Sequence, residues 1–258
     1  KGVCWSTNQQ PTVADAKTME SITELQFAST MSALKAGYEY HVRAYATNAV
    51  GTGYGEDKTF TTEIMDFDGN VYNTVTIGPY TWMVENLKVT HYDVGLPLMK
   101  ITDNTVWATT EFQAYCWYNN DSTAFKDVYG ALYNWYAVDS RSICPFGWHI
   151  ATVYEWDGLI NYLGGADVVG GKLKETGITH WFSPNTGATN ETGFTALPAG
   201  NRTNVGDFTN MGSLGTWWCY YYAPSSVYAY TISYDNSSVV KYLDPKNMGF
   251  PVRCIKDH

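Results

Sequence analysis

The chain has 258 residues, a net charge of −9, 45% hydrophobic residues and only 16% charged ones. That balance suits a folded protein with one large core or two smaller ones and excludes a disordered chain. No apolar run approaches the ~18–20 residues of a membrane-spanning helix, and no basic patch stands out, which argues against nucleic acid as a partner.

Residues 1–62 read as an all-β module. "GVCWST" is a short strand, "ELQFASTMSAL" a second, and "YEYHVRAYATN" a third with Tyr40, Val42, Ala44 and Ala46 on one face. "AVGTGYGEDKTFTT" is a Gly-rich turn leading into a last strand. The stretch "LKAGYEYHVRAYATNAVGTGYG" resembles the C-terminal half of a fibronectin type III domain, with Leu34 and Tyr40 where that family places its tyrosine corner. The module begins about where the third strand of such a sandwich should stand. A fragment or processing boundary at Lys1 is the favoured reading. The alternative is a strand donated by a pilus or surface-anchoring partner.

Residues 66–258 form a second module of α+β class. Asp68-Gly69 is a turn signal. The string Asp66-x-Asp68-Gly69-Asn70 is similar to a calcium loop but lacks its remaining ligands, so a turn is expected and no metal. Two helices follow from the pattern. "DVYGALYNWYAV" places Val128, Leu132, Trp135 and Tyr136 on one face. "ATVYEWDGLINYLGG" carries a Thr152–Glu155 capping box, a stripe of Trp156, Leu159, Ile160 and Leu163, and a Gly164-Gly165 stop. Beyond Gly165 short strands and loops are expected up to "GFPVRCIKD".

The five cysteines are Cys4, Cys116, Cys144, Cys219 and Cys254, with no CxxC pair to suggest zinc. Cys144 and Cys254 lie far apart in strongly patterned segments, and a bridge between them would mean an oxidising compartment. Cys4 and Cys116 read as buried thiols. A Cys116–Cys219 bridge stays open.

Seven strings occur in order: "WMVENL", "YGALYNWYAV", "CPFGWHIATVYEW", "GGKLKETG", "GFTALPAG", "WW" and "GFPVRCIKD". Together they resemble the Fibrobacter succinogenes major paralogous domain, a family of surface and secreted proteins of Bacteroidetes and their relatives. The resemblance covers about residues 66–258 and implies a C-type-lectin-like fold with two helices, a mixed sheet and long loops. It also implies the long-range Cys144–Cys254 bridge of C-type lectins. The Glu-Pro-Asn, Gln-Pro-Asp and Trp-Asn-Asp signals of calcium-dependent sugar binding are missing from the sequence, so the fold alone implies no lectin chemistry.

The segment Gly215–Tyr242 holds seven tyrosines and five serines but only two charged residues, Asp235 and Lys241. Tyr offers a large rigid contact with few rotors to freeze, and Ser, Asn and Asp offer adaptable hydrogen bonds, which is the composition of an antibody paratope. Domains of the resembled kind are targets of diversity-generating retroelements, which mutate adenines so that Asn codons scatter to Tyr, Ser, Asp, Thr and Ile. Residues about 201–248 look like such a variable region. The expected ligand-contacting positions are Asn201, Thr203, Asp207, Thr209, Leu214, Thr216, Cys219, Tyr220, Tyr221, Tyr222, Tyr228, Tyr230, Ser233, Asp235, Tyr242 and Asp244. In "SVYAYTISY" the row Tyr228, Tyr230, Ile232, Tyr234 falls on one strand face and would line an exposed surface. An aromatic-rich sheet with its hydroxyls in water is the competing reading.

Catalytic alternatives are weaker. The formylglycine-generating enzymes resemble this fold broadly, but Cys219 has no second cysteine at their spacing and no basic neighbour to activate it. His149 reads as a structural histidine. Trp217-Trp218 would offer one ring at most for sugar stacking, since neighbours on a strand face opposite ways. Glu175, His180 and Glu191 establish no paired-carboxylate geometry. The sequence therefore points to a non-enzymatic recognition or adhesion protein without cofactor, secreted or on the bacterial outer membrane or fimbria. Its ligand would be a protein or glycan on another cell surface. The alternatives are a polysaccharide-binding or polysaccharide-processing accessory protein and a purely structural scaffold.

Overall fold

A computed structural model describes residues 1–21, 26–221 and 227–257. The chain divides into two compact units, Lys1–Ile64 and Met65–His258.

The first unit is one antiparallel sheet. Its strands are β1 (Gly2–Ser6), β2 (Ala16–Lys17), β3 (Glu39–Thr47), β4 (Thr52–Tyr54) and β5 (Lys58–Thr61). The order is β2-β1-β3-β4, with β5 also on β3. Tyr40 is buried and stacks on Phe60 at 5.8 Å, and its hydroxyl accepts from the Lys35 backbone N–H at 2.9 Å. Two expectations fail here. The second expected strand lies partly outside the described residues, and its described part, 26–34, forms none. Ala44 and Ala46 are exposed, so the apolar face of β3 is shorter than the alternation suggested.

The second unit is α+β, with five helices among the described residues rather than two. It opens with a turn at Asp68-Gly69, where Gly69 takes φ +80 and Asp66 Oδ1 accepts from the Asp68 and Asn70 backbone N–H groups. Then come β6 (Thr74–Ile77), β7 (Tyr80–Met83), β8 (Met99–Lys100), α1 (Asn104–Thr109) and β9 (Ala114–Cys116). The stretch expected as one helix over 127–138 is cut in two. α2 (Ser122–Tyr129) stops at Gly130, β10 (Leu132–Tyr133) intervenes, and α3 (Trp135–Asp139) restarts from an Asn134 cap. Gly130 holds φ +76, and a Cβ there would lie 2.8 Å from Asn86 and the Leu87 carbonyl, so this is a turn that only glycine fits.

β11 (Trp148–Ile150) leads to α4 (Val153–Tyr162), which starts as the sequence says. Thr152 and Glu155 form both bonds of the capping box. α5 (Ala166–Leu173) was not expected. Six strands complete the unit: β12 (Ala199–Arg202), β13 (Phe208–Met211), β14 (Leu214–Cys219), β15 (Tyr228–Ser233), β16 (Val239–Leu243) and β17 (Cys254–Lys256). The sheets are β11-β17-β7-β6, β10-β9-β8, β12-β13 and β14-β15-β16. Among the described residues all pairings between these strands are antiparallel except β8 with β9. Cys144 and Cys254 are bonded across 110 residues, and Cys4, Cys116 and Cys219 are free and buried. No helix among the described residues is long and apolar enough to cross a membrane.

The larger core gathers Trp82, Trp156, Trp181, Trp217 and Phe194 around Leu159, Leu173, Tyr230, Ile232 and Ile255. Each large ring buries about 150–250 Å², an upper bound of about 4–6 kcal/mol in removed apolar surface, so these rings decide which face of each strand turns inward.

Candidate functional site

The β14-β15-β16 sheet is where the expected contact residues concentrate, and its register sorts them. Pairing matches Gly215 with Ile232, Trp217 with Tyr230 and Cys219 with Tyr228, and β16 adds Val239 opposite Ile232 and Lys241 opposite Tyr230. This row faces the core. The row Leu214/Ser233, Thr216/Thr231/Val240 and Trp218/Ala229/Tyr242 faces the other way. A slip of one residue would expel Trp217 and Ile232, so the core fixes the register.

The expected exposed tyrosine row is thereby corrected. Tyr230 is 1% exposed, stacks on Trp156 at 5.1 Å and gives its hydroxyl to Asp157 at 2.5 Å. Its polar end is satisfied inside, which is how a core accommodates a hydroxyl. Tyr228 is half-buried on the same face, and Tyr234 packs against this core and on Phe182 at 6.1 Å. Cys219 is buried, burial pushes its thiol well above the ordinary range, and it donates to the Tyr228 carbonyl. Neither Tyr230 nor Cys219 presents a side chain to a ligand. Both tryptophans are also buried: Trp217 in the core, and Trp218 under Trp135 and Phe250 with its indole N–H on the Tyr133 carbonyl. No sugar platform exists at either ring.

The outward face carries a cavity of about 440 Å³. Of the expected positions, Asn201, Leu214, Thr216, Ser233, Asp235, Tyr242 and Asp244 line it. Asn210, Thr231, Asn236, Ser238, Val240, Met248 and Phe250 complete the lining and are not among the contact positions expected from sequence. Thr231 and Val240 were findable, because once Trp217 is placed inside, alternation and pairing put both outside beside Thr216.

The cavity is a trough along β16. Ser238, Val240, Tyr242 and Asp244 alternate onto it, so the turn of Asp235 and Asn236 stands at one end and Asp244 about 20 Å away at the other, by the rise of a strand. Thr216 and Thr231 share a hydroxyl bond at 3.1 Å. Asp235 accepts from Ser233 at 2.6 Å and Asn236 at 2.9 Å, and the Ser233 bond foremost holds its carboxyl below the usual range. Asn201, 4% exposed, accepts from Asn210 at 2.8 Å. Burial pushes Asp244 up, with no hydrogen-bond partner for its carboxylate among the described residues. No basic side chain among the described residues lines the trough. Lys241 reaches Asp157 on the opposite face at 3.1 Å, and Lys246 lies over the Tyr136 ring.

The remaining expected positions lie elsewhere. Thr203 and Asp207 close the β12–β13 turn through a backbone bond of 2.7 Å and a Thr203 hydroxyl bond of 3.0 Å. Thr209 reaches Asn201 at 3.4 Å. Tyr220 stacks on Trp135 with Arg141 over its ring at 5.2 Å, and Tyr221 sits between Tyr154 and Tyr228. Tyr222 lies outside the described residues.

The titratable groups named from sequence are engaged in structure. His149 bridges Asp257 at 2.7 Å and Glu155 at 2.8 Å. Burial opposes its charge, but those two carboxylates outweigh it and raise the imidazole above its ordinary value. His180 pairs with Glu175 at 2.7 Å, and Glu191 with Lys172 at 3.2 Å. Among the described residues no group of three or more His, Cys, Asp or Glu is placed to hold a metal ion.

A family model described as the Fibrobacter succinogenes major domain matches residues 75–256. No curated protein and no solved structure matches the chain.

Proposed function

The chain belongs to the Fibrobacter succinogenes major domain family, and from that premise we propose that it is a secreted or surface-exposed recognition protein whose ligand seats in the trough over β14, β15 and β16. The observation that carries this reading is the division of one sheet into two faces. One is fixed by Trp217, Tyr230 and Ile232, and the other is lined by Asn201, Thr216, Ser233, Asp235, Tyr242 and Asp244 around an open cavity. Short hydroxyls and amides beside an exposed aromatic ring, on a rigid support, suit adaptable binding. The C-type-lectin-like fold, the fibronectin-like character of the first unit, the surface location and retroelement diversification rest on the resemblances in the sequence. Adhesion through a pilus or an outer-membrane lipoprotein is one setting for such a surface. The engaged histidines and the inert Cys219 favour binding over catalysis.

The test uses the full chain on arrays of glycans and of cell-surface proteins. Thr216→Arg and Thr231→Arg, which fill the trough from its floor, are expected to lower any specific binding at least tenfold, while Asp167→Asn on the exposed side of α5 leaves it intact. Binding indifferent to both arginines would refute the trough as the site. Specific hits confined to polysaccharides, lost on the same substitutions, would favour the polysaccharide accessory reading instead.

A further inference from the structure

The two ends of the trough differ. Asp235 is committed to Ser233 and Asn236. Asp244 is half-buried, and its carboxylate has no partner among the described residues. A half-buried carboxylate without a partner is costly in the free protein, and a cation brought by a ligand removes that cost. Beside it stand Tyr242, 51% exposed on the trough face, and the apolar Met248 and Phe250.

A second observation points to the same end. The Arg202–Gly249 backbone pair sets residue 201 alongside residue 250. Asn201 is nine-tenths buried, and its oxygen is occupied by Asn210 and Thr209. Its amide nitrogen has no partner among the described residues, and the side chain lines the trough. Asn201 Nδ2 is not one of the fully enclosed unpaired polar atoms of the described residues, so it opens onto the trough, where an acceptor on a ligand can take the place of water.

We propose that the Asp244 end of the trough is a cation subsite, which takes the ammonium or guanidinium of a lysine or arginine side chain on a partner protein. This rests on the reading of the trough as the recognition surface and names the chemistry it selects. Asp244 supplies the counter-charge, the Tyr242 ring a face for the cation, and Asn201 a donor to a carbonyl of the same partner. Val240 and Met248 give the methylene stem an apolar wall, which a neutral sugar dense in hydroxyls leaves unused. The absence of basic side chains from the described lining disfavours an anionic ligand.

The experiment is a titration of the isotope-labelled full chain followed by backbone amide shifts. The probes are Nα-acetyl-arginine methylamide and Nα-acetyl-lysine methylamide, with the citrulline counterpart and N-acetylglucosamine as uncharged comparators. The cationic probes are expected to shift amides of residues 242–250 saturably and to bind at least tenfold more tightly than citrulline. Asp244→Asn, which keeps the side-chain shape, should bring them down to the citrulline level. Tyr242→Ala should weaken them severalfold, and Asp167→Asn should change nothing. The proposal is overturned if the cationic probes leave 242–250 unmoved, if citrulline binds equally, or if Asp244→Asn retains affinity. Saturable N-acetylglucosamine binding independent of Asp244 would sink the cation subsite and leave the recognition surface standing. Array binding lost on neither floor arginine would sink the recognition surface itself.

Discussion

Lys174, Arg202 and Arg253 are buried with no carboxylate within ion-pair distance among the described residues, and each directs its charge to backbone carbonyls, the two arginines also to the side-chain amides of Asn104 and Asn86. Lys174 matters most for the site. Its Nζ donates to the carbonyls of Thr186 at 2.8 Å, Ser233 at 3.0 Å and Asn236 at 2.9 Å, so it fastens the turn that carries Asp235. Lys174→Met should cost about 2–4 kcal/mol in urea unfolding, because three acceptors lose their donor, and a cost below about 0.5 kcal/mol would refute the fastening role. Burial also pulls the Lys174 ammonium down to about 8. Between that value and the roughly 10.4 of an unfolded lysine, the unfolded chain holds a proton that the native one lacks. Stability at this site therefore rises with pH across that window, and wild type should gain on Lys174→Met from pH 8 to 10. Nothing in "GGKLKETG" marks this lysine, since its three acceptors come from 186, 233 and 236.

At the level of elements, α4 was legible and α5 was not, for opposite reasons. The capping box of α4 is a local signal with both of its bonds present in the fold. α5 contains Gly170-Gly171, which in a sequence reads as a break, since each glycine costs a helix about 1 kcal/mol. The glycines are there for a close approach. A Cβ on Gly170 would lie 2.4 Å from the Ser238 carbonyl oxygen, and one on Gly171 would lie 2.3 Å from that of Gly187. The helix thus lies directly against backbone at the turn beside the trough. Gly170→Ala is expected to destabilise by about 1–3 kcal/mol despite its better helix propensity, with Val168→Ala on the exposed side of α5 within about 0.5 kcal/mol of wild type in the same melts. A Gly170→Ala protein as stable as wild type would show that the contact is loose. The Tyr face of β15 failed similarly. Alternation found the two faces of the strand, but only pairing to Trp217 says which one is inside. The cavity residues legible in sequence were Asn201, Leu214, Thr216, Ser233, Asp235, Tyr242 and Asp244, whereas Asn210, Asn236, Ser238, Met248 and Phe250 join through the fold.

For the whole second unit, the division between frame and trough sets what can change. The frame combines the tryptophan core with a Cys144–Cys254 bond closing 110 residues. A loop of that length is worth about 4–5 kcal/mol by chain entropy, a margin against which surface substitutions of ±0.5 kcal/mol are small. Replacement of Trp217, Cys219, Tyr230 or Ile232 would instead open a core cavity at a cost of several kcal/mol. If the region 201–248 is diversified, folding therefore filters the outcome. Sequencing this gene across many cells of its source population should find substitutions concentrated at 201, 214, 216, 233, 235, 242 and 244, the expected positions that line the trough. Cys219 and Tyr230, which composition alone would have grouped with them, should stay fixed. Variation spread evenly over both faces of β15 would mean that the frame does not constrain the region. An invariant segment would leave the trough as a site for one ligand, its hydroxyls and carboxylates set for a single partner instead of sampled.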